Sequence, residues 1–156
     1  MKYRMLTNEE LSHLEDDLKA FLIINGIHSE EWERLNLEDP SKAIELVGVF
    51  SDTVLQKVYE KISYLEFRSQ DSCMVFRFSD DRMSLISFNK SMGSNADLST
   101  PEGIHKALTD QFDQLTFFRS EKGYSQLREM EIHELLDQGC YVSSEEFWKA
   151  LEEVLA

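Results

Sequence analysis

The chain has 156 residues, of which 42% are hydrophobic, and its 30 Asp and Glu residues against 16 Lys and Arg give a formal net charge of −14. That charge repels nucleic-acid phosphates and anionic membrane faces, which excludes a generic basic nucleic-acid groove. The length fits a single globular domain over residues 1–156, and ten Phe residues argue against disorder.

The first part of the chain predicts two helices. Thr7, followed three residues later by Glu10, is the sequence signature of a capping box, and apolar residues then recur at helical spacing. Asn25 and Gly26 tolerate positive φ and should end this helix. A short second helix is expected over residues 29–35.

A long third helix is predicted over about residues 40–62. Asp39 is a good N-cap, and Pro40 suits the first helical position. Apolar residues within the segment are spaced for one buried stripe. Ser51 and Asp52 offer a second N-cap, which would divide this helix into two.

The hydrophobic period changes at residue 63. Three short runs rich in aromatic residues and Met alternate apolar with polar positions and are typical of strands: Tyr64–Arg68, Met74–Phe78 and Met83–Phe88. Turns are expected at residues 70–72 and 80–81. The segment 63–88 therefore predicts an antiparallel meander that needs helices over its apolar face.

The last part of the chain mixes elements. A small-residue loop over residues 89–100 precedes a helix that begins near Pro101, and Leu115–Arg119 is a candidate fourth strand before a turn at 121–123. Two further helices are expected, one over 124–138 and one after Ser143-Ser144. The predicted fold is thus α+β, with a helical N-terminal half, a sheet of three or four antiparallel strands and C-terminal helices packed on the sheet.

Three segments resemble a small bacterial family of uncharacterised proteins. They are the opening Met1–Leu11, the Phe50-Ser51-Asp52 element and Tyr64–Ser69, and the likeness extends over most of the chain. Because no activity, ligand or catalytic residue is known for that family, the resemblance implies a bacterial cytoplasmic domain and transfers no site residue.

One histidine-containing segment is a candidate for metal ligation. His133-Glu134-x-x-Asp137 places His133 and Asp137 one helical turn apart, but a zincin motif has a second His at that position and a third ligand downstream. A solvated acidic helix face is the favoured interpretation. His13 and Asp17 form a similar pair, expected to be an exposed ion pair.

Nucleophilic and phosphate-binding sites have equally weak signals. Cys73 and Cys140 lie in no catalytic signature and have no basic neighbour in sequence, so both are expected to be reduced thiols without a catalytic role. The segment 90–95 precedes a helix start, but its lone Gly93 does not make a glycine-rich phosphate loop. No catalytic, cofactor-binding or metal-ligating residue is therefore predicted, and no cofactor.

A helix pair around residues 135–155 resembles a helix-turn-helix in its spacing. A DNA reader would place Lys or Arg at the start of the second helix, whereas this chain has Glu145 and Glu146 there. The sequence therefore favours a plain helix pair and no nucleic-acid partner. With no membrane segment in view, we expect a cytoplasmic protein.

Three functional classes remain open. The leading hypothesis is a non-enzymatic interaction or regulatory module that binds another protein or a second copy of itself, through the sheet edge or the last helix. It is favoured if Trp32, Phe117, Phe118 or Trp148 lies in an exposed apolar patch, and it is weakened if all four belong to the core. The alternatives are a small acidic chaperone or nucleic-acid mimic, and an enzyme whose site is assembled from scattered residues, near His105, His133 or the loop 89–100.

Overall fold

The computed structural model describes residues 1–156 and has an α+β architecture, with seven α-helices and a five-stranded antiparallel sheet. The helices are α1 (Asn8–His13), α2 (Glu15–Ile24), α3 (Ser29–Glu38), α4 (Pro40–Glu60), α5 (Pro101–Asp110), α6 (Arg128–Asp137) and α7 (Glu145–Val154). The strands are β1 (Tyr64–Arg68), β2 (Ser72–Phe78), β3 (Arg82–Lys90), β4 (Leu115–Gly123) and β5 (Tyr141–Val142). Each helix is too short or too polar to cross a bilayer.

The chain divides into two compact units, residues 1–58 and 59–156. In the first unit, the capping box at Thr7 is confirmed, since the Thr7 hydroxyl accepts from the Glu10 N–H and the Glu10 carboxylate accepts from the Thr7 N–H. The predicted single first helix is interrupted at Leu14, whose φ of −113° and ψ of 22° leave the helical region. Gly26, with a φ of +80°, ends α2 as predicted.

Helix α4 is continuous, and the predicted division at Ser51-Asp52 is wrong. The Ser51 hydroxyl donates to the Val47 carbonyl 2.7 Å away, within the helix, and accepts from the Leu6 N–H. The Asp52 carboxylate accepts from the Lys2 and Tyr3 N–H groups instead of capping a new helix. Both side chains therefore hold the N-terminal segment against α4 and leave the α4 backbone bonds intact.

The second unit is built on the sheet, whose strand order is β4-β3-β2-β1-β5. The meander β1-β2-β3 has the predicted connectivity. Neighbouring strands pair residue by residue without a bulge, for example with Val75 opposite Ile86. Alternate residues point to opposite sides of a sheet. We call the side that carries Cys73, Val75, Ile86 and Phe88 the core face.

Helices α5 and α7 cover the core face. Ile104 and Ala107 of α5 and Trp148 and Leu151 of α7 pack with the core-face residues in one buried cluster, which the connecting-loop residues Ala96 and Leu98 complete. Ser144 caps α7, as predicted, by accepting from the Phe147 N–H. The expected packing of C-terminal helices on the sheet is thereby confirmed.

The sheet has more strand than the sequence predicted. Strand β4 continues to Gly123 through the predicted turn at 121–123, because the long partner β3 pairs with it from Lys90 back to Arg82. The two-residue strand β5 was missed, and it pairs with Leu65 and Glu66 of β1 between α6 and α7. Helix α6 begins only at Arg128, four residues later than the predicted start at 124.

Candidate functional site

The residues of the candidate metal motif are not brought together with other ligands. His133 lies on α6 with its Nδ1 atom 2.9 Å from the Tyr59 hydroxyl, and the Glu134 carboxylate accepts from Gln126. Asp137 is exposed at the end of the helix. No three His, Cys, Asp or Glu side chains in the chain are grouped so that they could hold a metal ion.

The predicted His13–Asp17 ion pair is not formed. Helix α1 ends at His13, whose Nδ1 atom lies 3.1 Å from the Glu9 carbonyl oxygen, and Asp17 belongs to the next helix. The break at Leu14 removes the helical spacing on which the prediction rested. His105 is exposed on α5.

Both thiols are buried and free. Burial is the main cause that raises the pKa of Cys73 to about 12, and the nearby Glu66 carboxylate adds to it. Burial also raises the pKa of Cys140. Both groups are therefore held as thiols at neutral pH, and neither has the lowered pKa of a nucleophile.

Part of the loop 89–100 is packed into the second unit, while its tip at residues 91–93 is exposed and lines an open surface cavity. Ala96 and Leu98 are buried, the Lys90 ammonium donates to the Ala96 carbonyl, and the Ser94 hydroxyl donates to the Gln114 side chain 2.6 Å away. A Cβ at Gly103 would lie 1.8 Å from a backbone oxygen of this loop. Only glycine at position 103 lets the loop backbone approach the start of α5 this closely.

The four aromatic residues whose exposure tests partner binding differ in how far they are buried. Trp148 is buried with 2% exposure and belongs to the core, while Trp32 and Phe117 are half-buried. Phe118 of β4 is 58% exposed. The exposed aromatic ring thus lies on the outermost strand of the sheet.

Strand β4 forms one edge of the sheet and is nine residues long. The Ser91 N–H donates to the Gln114 carbonyl 2.7 Å away and continues the β3–β4 ladder by one step. Because bonded pairs alternate along an antiparallel ladder, Phe118, Ser120 and Lys122 direct their backbone groups toward β3. The N–H and C=O groups of Arg119 and Glu121 therefore point outward, away from the sheet.

Side chains along this edge alternate between the two faces. Arg119 and Glu121 lie on the core face, where Arg119 is 3.4 Å from Glu152 and Glu121 pairs with Arg82 at 2.7 Å. Phe118 and Lys122 lie on the opposite face. The edge thus offers free backbone groups flanked by one exposed ring and charges of both signs.

The end of β4 is fixed by Tyr124, the residue that follows it. Its hydroxyl lies 2.6 Å from the Ser79 carbonyl oxygen and 2.9 Å from that of Arg82, at the β2–β3 turn. Burial raises the pKa of this hydroxyl, so it remains a donor at neutral pH. The end of the edge strand is therefore tied to the β2–β3 turn.

Sequence reasoning missed most of this surface because it assigned the second half of β4 to a turn. The run Glu121-Lys122-Gly123 is locally turn-like, and only its pairing with β3 shows that it is strand. The signal that could have predicted the full strand is the alternation of side chains along it, with Arg119 and Glu121 between Phe118, Ser120 and Lys122.

Comparison with curated proteins and with solved structures found no match. A model of a family of unknown function, DUF6495, matches residues 1–156. The expected membership in a family without a known activity is thereby confirmed, and the chain belongs to the DUF6495 family.

Proposed function

We propose that this protein is an interaction module that pairs with a second copy of itself through the open edge of β4. The observation that carries the proposal is the self-complementary order of side chains from Phe118 to Lys122 on a strand whose outer edge is unpaired. Backbone groups of an open edge form hydrogen bonds with any added strand, and side chains select which strand is added.

An antiparallel pair of β4 strands can be centred on Ser120. In that register, Arg119 of each copy lies opposite Glu121 of the other, and both are outward-pointing residues whose backbone groups exchange hydrogen bonds. Phe118 of each copy lies opposite Lys122 of the other, so the ammonium can approach the exposed ring. Each opposite-charge or aromatic pair contributes about 0.2–1 kcal/mol beyond the backbone bonds.

The neighbouring registers lack this complementarity. Centring the pair on Arg119 places that guanidinium opposite its own copy, and centring it on Glu121 opposes two carboxylates. Centring it on Phe118 stacks two rings but leaves both charges of the core face opposite uncharged residues. The Ser120 register is therefore the one we propose.

Charge reversal tests both the interface and the register. R119E should place two carboxylates opposite each other, and E121R should place two guanidinium groups opposite each other, so that each variant is monomeric alone. An equimolar mixture restores both opposite-charge pairs and should form a heterodimer. The measurements are sedimentation velocity for the wild type and each variant, and native mass spectrometry for the mixture.

The matched control is R34E, which makes the same charge change on exposed α3 and should leave the wild-type dimer intact. Circular dichroism shows whether each variant is folded. A wild type that is monomeric up to submillimolar concentration would contradict the proposal, and the charges of β4 would then protect the edge against pairing. Two folded single variants that do not combine on mixing would exclude the Ser120 register.

A further inference from the structure

A cavity of about 350 Å³ opens between strands β2, β3 and β4 and helix α7. Arg77, Ser84, Arg119, Trp148 and Glu152 are among the residues that line it. Arg77 is opposite Ser84 in the register, and Ser84 is opposite Glu121, so these residues form one row across the core face near the β2–β3 turn. A volume in this range is typical of sites for small ligands.

The positive charges of this cavity are incompletely neutralised. The Arg77 side chain forms no hydrogen bond and no ion pair within the chain. The pKa of Glu145 is lowered mainly by Lys149, and Arg77 adds a small contribution to that lowering. Arg119 contacts Glu152 through one nitrogen at 3.4 Å, which leaves most of its donors unused. Glu121, the other carboxylate in the lining, is bound to Arg82.

The wall of the cavity also contains one hydroxyl group and one indole ring. The Ser84 hydroxyl is half-buried, 3.4 Å from a Glu121 oxygen. Trp148 is buried, and its Nε1 atom has no hydrogen-bond acceptor. Because the Nε1 atom is itself shielded from solvent, the ring contributes a low-dielectric wall, which strengthens the attraction between the nearby guanidinium groups and an anion.

We propose that this cavity binds a small oxyanion, a carboxylate or phosphate group of a small molecule, between the guanidinium groups of Arg77 and Arg119. Guanidinium groups bind both oxyanions through paired N–H donors, and the weakly held Glu152 carboxylate is the group that the ligand replaces at Arg119. A polyanion is disfavoured because the net charge of −14 repels it, while one small anion can be held by the two arginines of a single cavity.

The anion site and the proposed edge pairing share Arg119, so the residue that distinguishes them is Arg77, which only the anion site uses. Arg77 lies on β2, two strands inside the edge, and has no place in the β4 register. R77Q should therefore weaken binding of the anion and leave the oligomeric state unchanged. Anion binding and dimer formation can thus each be refuted without refuting the other.

The binding assay follows Trp148 fluorescence in a W32F background, where Trp148 is the only indole because the chain has two Trp residues. Inorganic phosphate and succinate are titrated at constant ionic strength set with sodium chloride, and calorimetry on the unmutated chain gives a second readout. Either anion should produce a saturable signal, and the arm that saturates identifies phosphate or carboxylate as the ligand chemistry. R77Q should bind about tenfold or more weakly, since it removes one charge-assisted contact.

The control is R34Q, an equal change of charge outside the cavity, which should bind as the unmutated chain does. R77E should abolish the saturable signal because it adds a carboxylate to the lining. The proposal is overturned if neither anion saturates the folded protein in the millimolar range, or if R77Q and R34Q bind equally well.

Discussion

Arg128 holds three backbone segments of the second unit together, and its removal should lower stability strongly. Its side chain is 14% exposed, with Nη1 donating to the Tyr59 carbonyl at 3.2 Å and Nη2 donating to the Ile62 and Phe78 carbonyls. The first two acceptors belong to the end of α4 and the segment after it, and the third to the end of β2. The guanidinium therefore satisfies carbonyl groups where a helix and a strand end.

The magnitude follows from counting the well-formed bonds. A hydrogen bond to a charged group contributes about 1.5–3 kcal/mol. The contact to Phe78 is long, at 3.4 Å, and counts for little, which leaves two bonds. An open cavity lined by Ser63 and Tyr124 lies beside Arg128 and lets water reach the freed carbonyls, so the lower end of the range applies. R128M, which keeps the apolar stem, should cost about 3 kcal/mol of unfolding free energy.

Urea denaturation followed by Trp148 fluorescence in the W32F background measures this loss. R128K keeps the charge but offers one point donor in place of the planar fork, so it should recover only about half of the lost stability. A surface substitution such as R34M should stay within about 0.5 kcal/mol of the parent chain. The reasoning fails if R128M costs less than about 1 kcal/mol, or if R128K is as stable as the parent.

Two further predictions concern ionisable groups. Cys73 should resist alkylation by iodoacetamide at pH 8 in the native protein and react only on unfolding, because burial raises its pKa to about 12; labelling at the rate of a free thiol would contradict this. The Arg4 guanidinium and the Thr7 N–H lower the pKa of Glu10 from 4.5 to about 2. Because a lowered carboxylate pKa stabilises the fold only while the group is ionised, the wild type should be more stable than E10Q above pH 4.5 and lose that advantage as the pH falls toward 2. Urea titrations of both chains across this range check the sign, and an advantage that persists at pH 2 would refute it.

Local chemistry predicted the elements whose signals are contained within a few residues. The Thr7 capping box, Pro40 at the first position of α4 and the alternation of Tyr64–Arg68 each specify one element without help from the rest of the chain. The failures have a common cause in contacts distant along the chain. Ser51 and Asp52 look like a helix start until their bonds to the N-terminal segment are known, and β5 is too short to have a pattern of its own.

The candidate sites were harder to predict than the fold, because strand register creates them. Arg77 and Arg119 are far apart in sequence and on different strands, and they share one cavity because β3 pairs with both strands. Neither arginine has a motif around it. Whether one edge of β4 is open likewise depends on its position as an outer strand, which is set by the strand order of the sheet.

The sheet order also limits how far the proposed pairing can extend. An antiparallel pair centred on Ser120 has two-fold symmetry, so each copy uses the same edge and no β4 edge is left open. The opposite edge of the sheet is β5, which has two residues and supplies little backbone for a further strand. The local order of charges can therefore bring two copies together, while the short opposite edge and the net charge of −14 on each copy oppose growth into a longer sheet.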